Sequence, residues 1–279
     1  MKRFSNLLSF SAVFLTILTL AGCGKQEPAD ELERIRAAKH LFIAVQPVNE
    51  PFGFSGGTQI AGFDVELAEA IGHKINIPIR WAPRGLVEEL FDTLSAKNAD
   101  MIISVVSITS ARKEKFAFSE PYFQSGHILA VRKDSEKEIK GVENLTGKKL
   151  GVQGSTTGHE LVTKDPRFKD ATVVTYASLD TALLKLNERE VDAVLGGFPI
   201  LVQNVDKTFP NLMVIGKPLD NELKAVVLRK GEDKLLQIVN ETILELKSTG
   251  KLDEMGRKWF HNYDRIKTLQ GQVPGKPIG

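Results

Sequence analysis

The stretch MIISVVSITSARKEKFAFSEPYF, residues 101–123, decides the fold class of this chain. It begins with an apolar run that is typical of a buried strand, and it then passes directly into Ser107, Thr109 and Arg112. Hydroxyl and guanidinium groups are costly to bury without partners, so we expect the end of this strand to open onto a polar space. Short apolar strands alternate with amphipathic helices before and after this stretch, which places it inside a repeated strand–helix–strand pattern.

The pattern starts at LFIAV (41–45), continues through IPIRW (77–81) and reaches DMIIS (100–104). Between the first two strands, FDVELAEAIGHKI (63–75) puts its apolar residues on one helical face, and Asp64 is expected to act as an N-cap or first-turn acid. Strands that alternate with helices predict an α/β fold with mostly parallel sheets. In such sheets ligands bind beyond the carboxyl ends of the strands, which is where residues 104–112 fall.

The same rhythm restarts after residue 147 and continues to residue 215. It predicts strands at 148–153, 172–176, 192–196 and 212–215, with helices near 157–164, 179–190 and 199–206. Two strand–helix units of similar size predict two lobes. No repeat of fixed period is present, which argues against a solenoid, and residues 264–279 lack periodicity and are expected to form a loose tail.

The N-terminus indicates export. Lys2 and Arg3 precede an apolar run, residues 7–20, that is too short for a membrane span and is typical of a secretory signal. The run ends at Leu20-Ala21-Gly22-Cys23, which resembles a bacterial lipobox with Cys23 as the lipidated residue; an ordinary signal with a chance cysteine is the alternative. Cys23 is the single cysteine, so no disulfide forms within the chain.

The net charge of the chain limits the kinds of partner that are expected. Removal of residues 1–22 takes two of the 37 basic residues away and leaves as many basic as acidic residues, 35 of each. A nucleic-acid partner calls for a basic excess and is therefore not expected. Residues 24–36 are polar and charged, as a tether between a lipid and a folded body would be.

Four motifs in order resemble one family: GFDVELAEAIG, LSAKNADMIISVVSITSARKEKFAFSEPYFQSG, KKLGVQGSTTGHE and LDEMGRKWF. They are similar to the extracytoplasmic solute-binding proteins of family 3, the amino-acid-type binding components of ABC importers. The resemblance runs from about Leu41 to Phe260. It implies a two-lobed periplasmic-binding-protein-like (type II) fold with two crossing hinge strands, which closes on a ligand between the lobes.

The resemblance also implies an organisation of the chain, with crossings near residues 128–132 and 222–228. The expected segments are a lipoprotein signal peptide at 1–22, a tether at 23–37, lobe one at 38–127 plus 225–262, lobe two at 128–224 and a C-terminal tail at 263–279.

Several site residues follow from the resemblance. Arg112 matches the residue that binds the ligand carboxylate, Ser107 matches a hydroxyl that holds the same group, and Thr109 caps the turn that carries Arg112. The alternative for this turn is a capped turn with a solvated arginine. Thr156 and Thr157 match paired hydroxyls from lobe two, although Ser155 stands where the family usually has glycine.

Other positions depart from the family pattern. Gly197 stands where members that bind α-amino acids usually carry an Asp that pairs with the ligand ammonium. Asn49 stands where the family often has the aromatic residue that covers the ligand, in a Tyr-x-Pro-Phe pattern whose last position is Phe52, and Ser104 completes the expected lining. Either Glu50 supplies an ammonium partner or the ligand lacks an α-ammonium group, and the second alternative is favoured.

These residues predict a lipid-anchored, extracytoplasmic protein that binds a small carboxylate-bearing solute for ABC permease subunits, acts as a monomer and needs no cofactor or metal. The first alternative is an enzyme similar to the cyclohexadienyl dehydratases, which share the fold and use an acid in the cleft; Gly197 removes the most natural place for that acid. The second alternative is a sensory or cell-wall binding module.

Overall fold

The computed structural model describes residues 30–275, so the signal segment and Cys23 lie outside the described residues. In chain order the strands are β1 (Leu41–Val45), β2 (Val48–Asn49), β3 (Gly53–Gly56), β4 (Gln59–Ala61), β5 (Ile79–Pro83), β6 (Met101–Ile102), β7 (Phe116–Phe118), β8 (Phe123–Ser125), β9 (His127–Arg132), β10 (Lys149–Gln153), β11 (Thr172–Tyr176), β12 (Ala193–Gly197), β13 (Leu212–Ile215), β14 (Glu222–Lys224) and β15 (Val227–Arg229).

The helices are α1 (Glu31–Ala38), α2 (Phe63–Ile75), α3 (Val87–Ser95), α4 (Ser110–Lys113), α5 (Thr157–Lys164), α6 (Leu179–Asn187), α7 (Phe198–Lys207), α8 (Asp233–Ser248), α9 (Lys251–Trp259) and α10 (Tyr263–Gln270), with 3₁₀ turns at Lys133–Ser135, Val142–Asn144 and Pro166–Phe168. Within residues 30–275, none of the helices has the length and apolar character needed to cross a membrane.

Two five-stranded sheets carry the fold. The first has the order β5-β1-β6-β15-β7 and the second the order β11-β10-β12-β9-β13. The central strand pairs are parallel, β1 with β5 and β6 in one sheet and β10 with β11 and β12 in the other. Parallel strands need covered faces, and the buried residues of the helices supply that cover. The α/β, two-lobed fold class that the sequence predicts is confirmed.

The chain passes between the two sheets twice. It leaves the first sheet through β8 and returns through β14, and these two strands pair antiparallel, with Glu222 opposite Ser125. The expected range 222–228 for the second crossing contains β14, and its last two residues belong to β15 of the first sheet. The expected first crossing at 128–132 is wrong, because these residues belong to β9, which pairs with β12 and β13 inside the second sheet.

The C-terminal segment is more ordered than its sequence indicates. Residues 263–270 form α10, and Tyr263, Ile266 and Leu269 are buried on one side of it. The Arg265 Nη1 atom lies 2.8 Å from Oδ1 of Asp206 on α7. The expectation of a loose tail is therefore wrong for α10. Its three buried residues are spaced one helical turn apart and pack against the body of the protein, but three positions are too few to stand out as a periodic pattern in the sequence.

Asp64 positions the polar turn that follows β6. Its carboxylate is fully buried, and its Oδ2 accepts a hydrogen bond of 2.9 Å from the Val105 backbone N–H. Val105 has a φ of 53°, a left-handed conformation that is unfavourable for a β-branched residue and needs support from its surroundings. The Tyr122 hydroxyl also accepts from this N–H, at 3.2 Å. Asp64 is therefore an anchor for the turn. It lies in the first turn of α2, as one of the two sequence-based alternatives has it, and the N-cap of this helix is Gly62.

The pKa of Asp64 gives a test of this anchor. Burial raises the pKa to about 7, whereas the carboxyl of an unfolded chain titrates near 3.8. Between these values the unfolded chain releases the proton and the folded protein keeps it, so stability is lost as the pH rises through the folded pKa.

We expect the free energy of unfolding of the wild type to fall by about 2–3 kcal/mol relative to Asp64→Asn between pH 5 and pH 8, measured by urea unfolding. Asp92→Asn, on the exposed side of α3, is the control and should give a flat difference. A flat difference for Asp64→Asn would contradict the buried, protonated carboxyl.

Candidate ligand-binding site

A cavity of about 100 Å³ lies between the two large sheets. Residues from β8 and β14 line it together with residues from both sheets, so the crossing strands form part of its wall. Eight residues predicted from the sequence are among those that line it: Asn49, Phe52, Ser104, Ser107, Arg112, Thr156, Thr157 and Gly197. Thr109 is not one of them; its side chain caps α4 by accepting from the Arg112 backbone N–H at 3.2 Å.

The Arg112 guanidinium is held at the cavity by two contacts. Its Nη1 donates to the Ser107 carbonyl oxygen at 2.9 Å, and its Cζ lies 5.1 Å from the centre of the Phe91 ring. Burial lowers the pKa of Arg112, and the negative charges of Glu222 and Glu160 act against this shift. Because the pKa of an arginine lies far above neutral pH, the group stays charged and available to an anion. Arg112 is half-buried and lines the cavity, on a turn that Thr109 caps.

The opposite side of the cavity is formed by the start of α5. Thr156 is its N-cap, with Oγ1 accepting from the His159 N–H at 3.2 Å, and Thr157 begins the helix. Ser155 has a φ of 60°, so it takes the left-handed conformation for which glycine is the usual choice. The Oγ1 of Thr157 lies 3.4 Å from Oγ of Ser107, which brings the two predicted halves of the site into contact.

Other predicted residues have structural partners of their own. Ser104 Oγ accepts from the Gln46 backbone N–H at 2.9 Å, and Asn49 Nδ2 donates to Gln46 Oε1 at 3.1 Å. Phe52 borders the cavity but is fully buried, and its ring makes edge contacts with the rings of Phe63, Phe123 and Phe260. Phe52 is thus chiefly a core residue.

The acid expected near a ligand ammonium is not supplied by Glu50. Its Oε1 accepts from Lys207 Nζ and, at 3.2 Å, from Gln203 Nε2, and the residue is outside the cavity lining. Gly197 has a φ of −60° and a ψ of 126°, a conformation open to any residue. A Cβ there would lie 3.6 Å from Ser125 Oγ, an ordinary contact. The backbone therefore does not require glycine at the position where the family usually has an Asp.

Sequence reasoning missed a cluster of buried charges on the crossing strands. Lys224 Nζ donates to Ser107 Oγ at 2.6 Å and to Glu222 Oε2 at 2.9 Å. His127 Nδ1 lies 2.8 Å from Asp220 Oδ2, and its Nε2 lies 3.6 Å from Glu222 Oε2. Glu222 and Lys224 are two residues apart and therefore share one face of β14. The signal in the sequence is a pair of opposite charges two residues apart, directly before the apolar segment 225–228.

The charges in this cluster stabilise one another. Burial alone would raise the pKa of Glu222, but the positive charges of His127 and Lys224 outweigh it and hold that pKa far below its usual range. Burial alone would lower the pKa of His127, yet Glu222 and Asp220 raise it above its usual value. The cavity wall thus holds an ionised Glu222, whose Oε2 lies 2.9 Å from Lys224 Nζ and 3.6 Å from His127 Nε2.

An α/β protein with two lobes and a polar cavity between them has the architecture of a solute-binding protein. The chain belongs to the bacterial extracellular solute-binding proteins, family 3, whose family model matches residues 41–262. It is 30% identical to the L-cystine-binding protein of Escherichia coli over 254 residues, and this alignment covers 88% of this chain and 92% of that protein. The ABC transporter glutamine-binding protein of Bacillus subtilis is 29% identical over 275 residues, covering 93% of this chain and 98% of that one.

A solved structure is also similar. An ancestral amino acid-binding protein, described as a precursor of cyclohexadienyl dehydratase, has a TM-score of 0.76 and 26% identity, covering 83% of this chain and all of that chain (100%). The relatives are thus amino-acid-binding proteins of ABC transporters, and one structural neighbour is an ancestral binding protein described as the precursor of an enzyme.

The buried charge cluster leads to a stability prediction. Glu222→Gln leaves Lys224 and His127 without their shared carboxylate, and the loss of one partner from a buried ion pair typically costs about 3–5 kcal/mol. We expect a decrease of that size in the free energy of unfolding by urea at pH 7. The double variant Glu222→Gln with Lys224→Met should lose less than the single variant. Equal stability of the single variant and the wild type would contradict the assignment.

Proposed function

We propose that this protein is an extracytoplasmic, lipid-anchored binding component of an ABC importer, which as a monomer delivers a small carboxylate-bearing solute, an amino acid or a related organic acid, to permease subunits. Its lobes are proposed to comprise residues 38–127 with 225–262, and residues 128–224. The observation that carries the proposal is that the Arg112–Ser107 pair meets the start of α5 at the cavity, where Ser107 Oγ lies 3.4 Å from Thr157 Oγ1.

The chemistry of this pair suits a carboxylate. A guanidinium offers two parallel N–H donors to the two oxygens of a carboxylate, and the first N–H groups of α5 point along a helix axis whose N-terminal end favours negative charge. One carboxylate between these groups would contact both sides of the cavity. Such a ligand stabilises the closed arrangement of the lobes because an open arrangement loses half of its contacts.

Binding is favoured over catalysis by the state of the titratable groups. A dehydratase needs a proton donor beside its leaving hydroxyl. Glu222 is held ionised, and both ring nitrogens of His127 face carboxylates, at 2.8 Å for Asp220 and 3.6 Å for Glu222. Gly197 supplies no acid. The cavity wall is therefore suited to holding charges in place rather than to transferring a proton.

The carboxylate seat is tested with Arg112→Ala. Ligands are first found by a thermal-shift screen of amino acids and simple organic acids, because a ligand that binds the native state raises the melting temperature. For the best acid we expect calorimetry to show a loss of about 1.5–3 kcal/mol, or roughly 10- to 150-fold in affinity. Arg80→Ala, at an exposed position of β5 outside the cavity lining, is the control and should bind as the wild type does. Unchanged affinity of Arg112→Ala would refute the seat.

The anchor is tested at Cys23. In a bacterial host the full chain should partition into the detergent phase of a cell extract, because an acyl chain buries many CH₂ groups in a membrane. Cys23→Ser should move the protein to the aqueous phase and leave ligand binding unchanged. Equal partitioning of both proteins would show that the sequence around Cys23 is an ordinary export signal.

A further inference from the structure

Lys224 is a buried cation in the cavity wall, and no position in the family pattern used above accounts for it. It is 6% exposed and lies on β14, one of the two crossing strands. From this placement we infer that Lys224 is a second cation of the carboxylate seat and that the site selects small organic acids without an α-ammonium group over the corresponding amino acids. The inference rests on the proposed function and narrows its ligand class.

Lys224 and Arg112 converge on the same residue. Lys224 Nζ donates to the hydroxyl of Ser107 at 2.6 Å, and Arg112 Nη1 donates to its carbonyl oxygen at 2.9 Å. A lysine ammonium has three N–H donors, and the contacts within residues 30–275 engage two of them, with Ser107 and Glu222. The third is left for a ligand oxygen. Since the Ser107 hydroxyl accepts from Lys224, its own hydrogen is free to turn towards the same ligand.

The charges around the cavity favour an anion. Its lining holds three basic side chains and one carboxylate, those of Arg112, His127, Lys224 and Glu222. Arg112 and Lys224 both contact Ser107, whereas the one carboxylate of the lining, that of Glu222, is already paired with Lys224. An ammonium beside a carboxylate bound at Ser107 would therefore lie close to two cationic side chains, which is unfavourable in a partly desolvated site.

Position 197, where the family usually has the acid that pairs with a ligand ammonium, also argues for a ligand without an ammonium group. Gly197 carries no acid although its backbone and its surroundings would accept a side chain. The acid that does line the cavity, Glu222, has its Oε2 engaged by Lys224 at 2.9 Å. Its Oε1 is buried and, within the described residues, has no hydrogen-bond partner. A ligand ammonium that donates to Oε1 is therefore the competing arrangement, and the experiment below separates the two.

The experiment compares matched ligand pairs that differ only in their ammonium groups. Calorimetry on the mature wild-type protein would use L-glutamine against glutaramate and L-cystine against dithiodipropionate. For a pair that binds, we expect the acid without ammonium groups to bind at least about tenfold more tightly than the amino acid, the effect of removing one like-charge contact. Tighter binding of the amino acid would overturn the inference in favour of an ammonium on Glu222.

Variants then test which side chain sets the preference. Lys224→Met should weaken binding of the acid by about tenfold or more and reduce the preference for the acid over the amino acid. Lys224→Arg keeps the charge and should retain most of this preference. Gly197→Asp tests the same charge balance without a change to Lys224. This variant should bind the acid more weakly and the amino acid more tightly than the wild type does. An unchanged preference in both Lys224→Met and Gly197→Asp would overturn the inference.

Failure of the inference is distinguishable from failure of the proposed function. If a carboxylate ligand binds and Arg112→Ala weakens its binding by roughly tenfold or more, the seat stands whichever member of a pair is preferred. If Arg112→Ala leaves that binding unchanged, the seat is refuted, and the inference about Lys224 falls with it.

Discussion

The contacts of Ser107 are the constraint on which the arrangement of this protein depends. Its carbonyl oxygen accepts from Arg112, its hydroxyl accepts from Lys224 on a crossing strand, and the same hydroxyl lies 3.4 Å from Thr157 on the other side of the cavity. Ser107 is 3% exposed, so these polar groups satisfy one another in a largely water-free place. The strained turn at Val105 is tolerated because Asp64 and Tyr122 hold it in the position that this convergence needs.

The buried charges tie ligand recognition to the crossing strands. Glu222, Lys224 and His127 lie on or beside β8 and β14, the two strands through which the chain passes between the sheets. Buried ion pairs are poor sources of net stability, since desolvation offsets most of their attraction. We attribute to this cluster a role in fixing the sign of the charge that the cavity accepts, which a set of apolar residues would not provide.

Much of the site was predictable because it is local in sequence. Ser107, Thr109 and Arg112 lie within six residues, and the threonines at α5 form a helix start that the strand–helix pattern reveals. The errors concern contacts between distant segments. Glu50 pairs with Lys207, Phe52 packs among Phe63, Phe123 and Phe260, and Lys224 meets Ser107 from 117 residues away. Such partners depend on sheet order and on register, which a single sequence does not encode in its spacing.

The sequence by itself determined the α/β class, the two lobes, the family and the Arg112–Ser107–Thr157 set, because hydrophobic periodicity and local motifs specify strands, helices and the residues at their ends. Only the tertiary structure decided what stands beside those residues. It placed the β8–β14 pair against the cavity, made α10 part of the folded body, and brought Glu222, Lys224 and His127 together in the cavity wall. The physical reason is that the charge of a cleft is summed over residues brought together from several segments, and that sum exists only once the chain has folded.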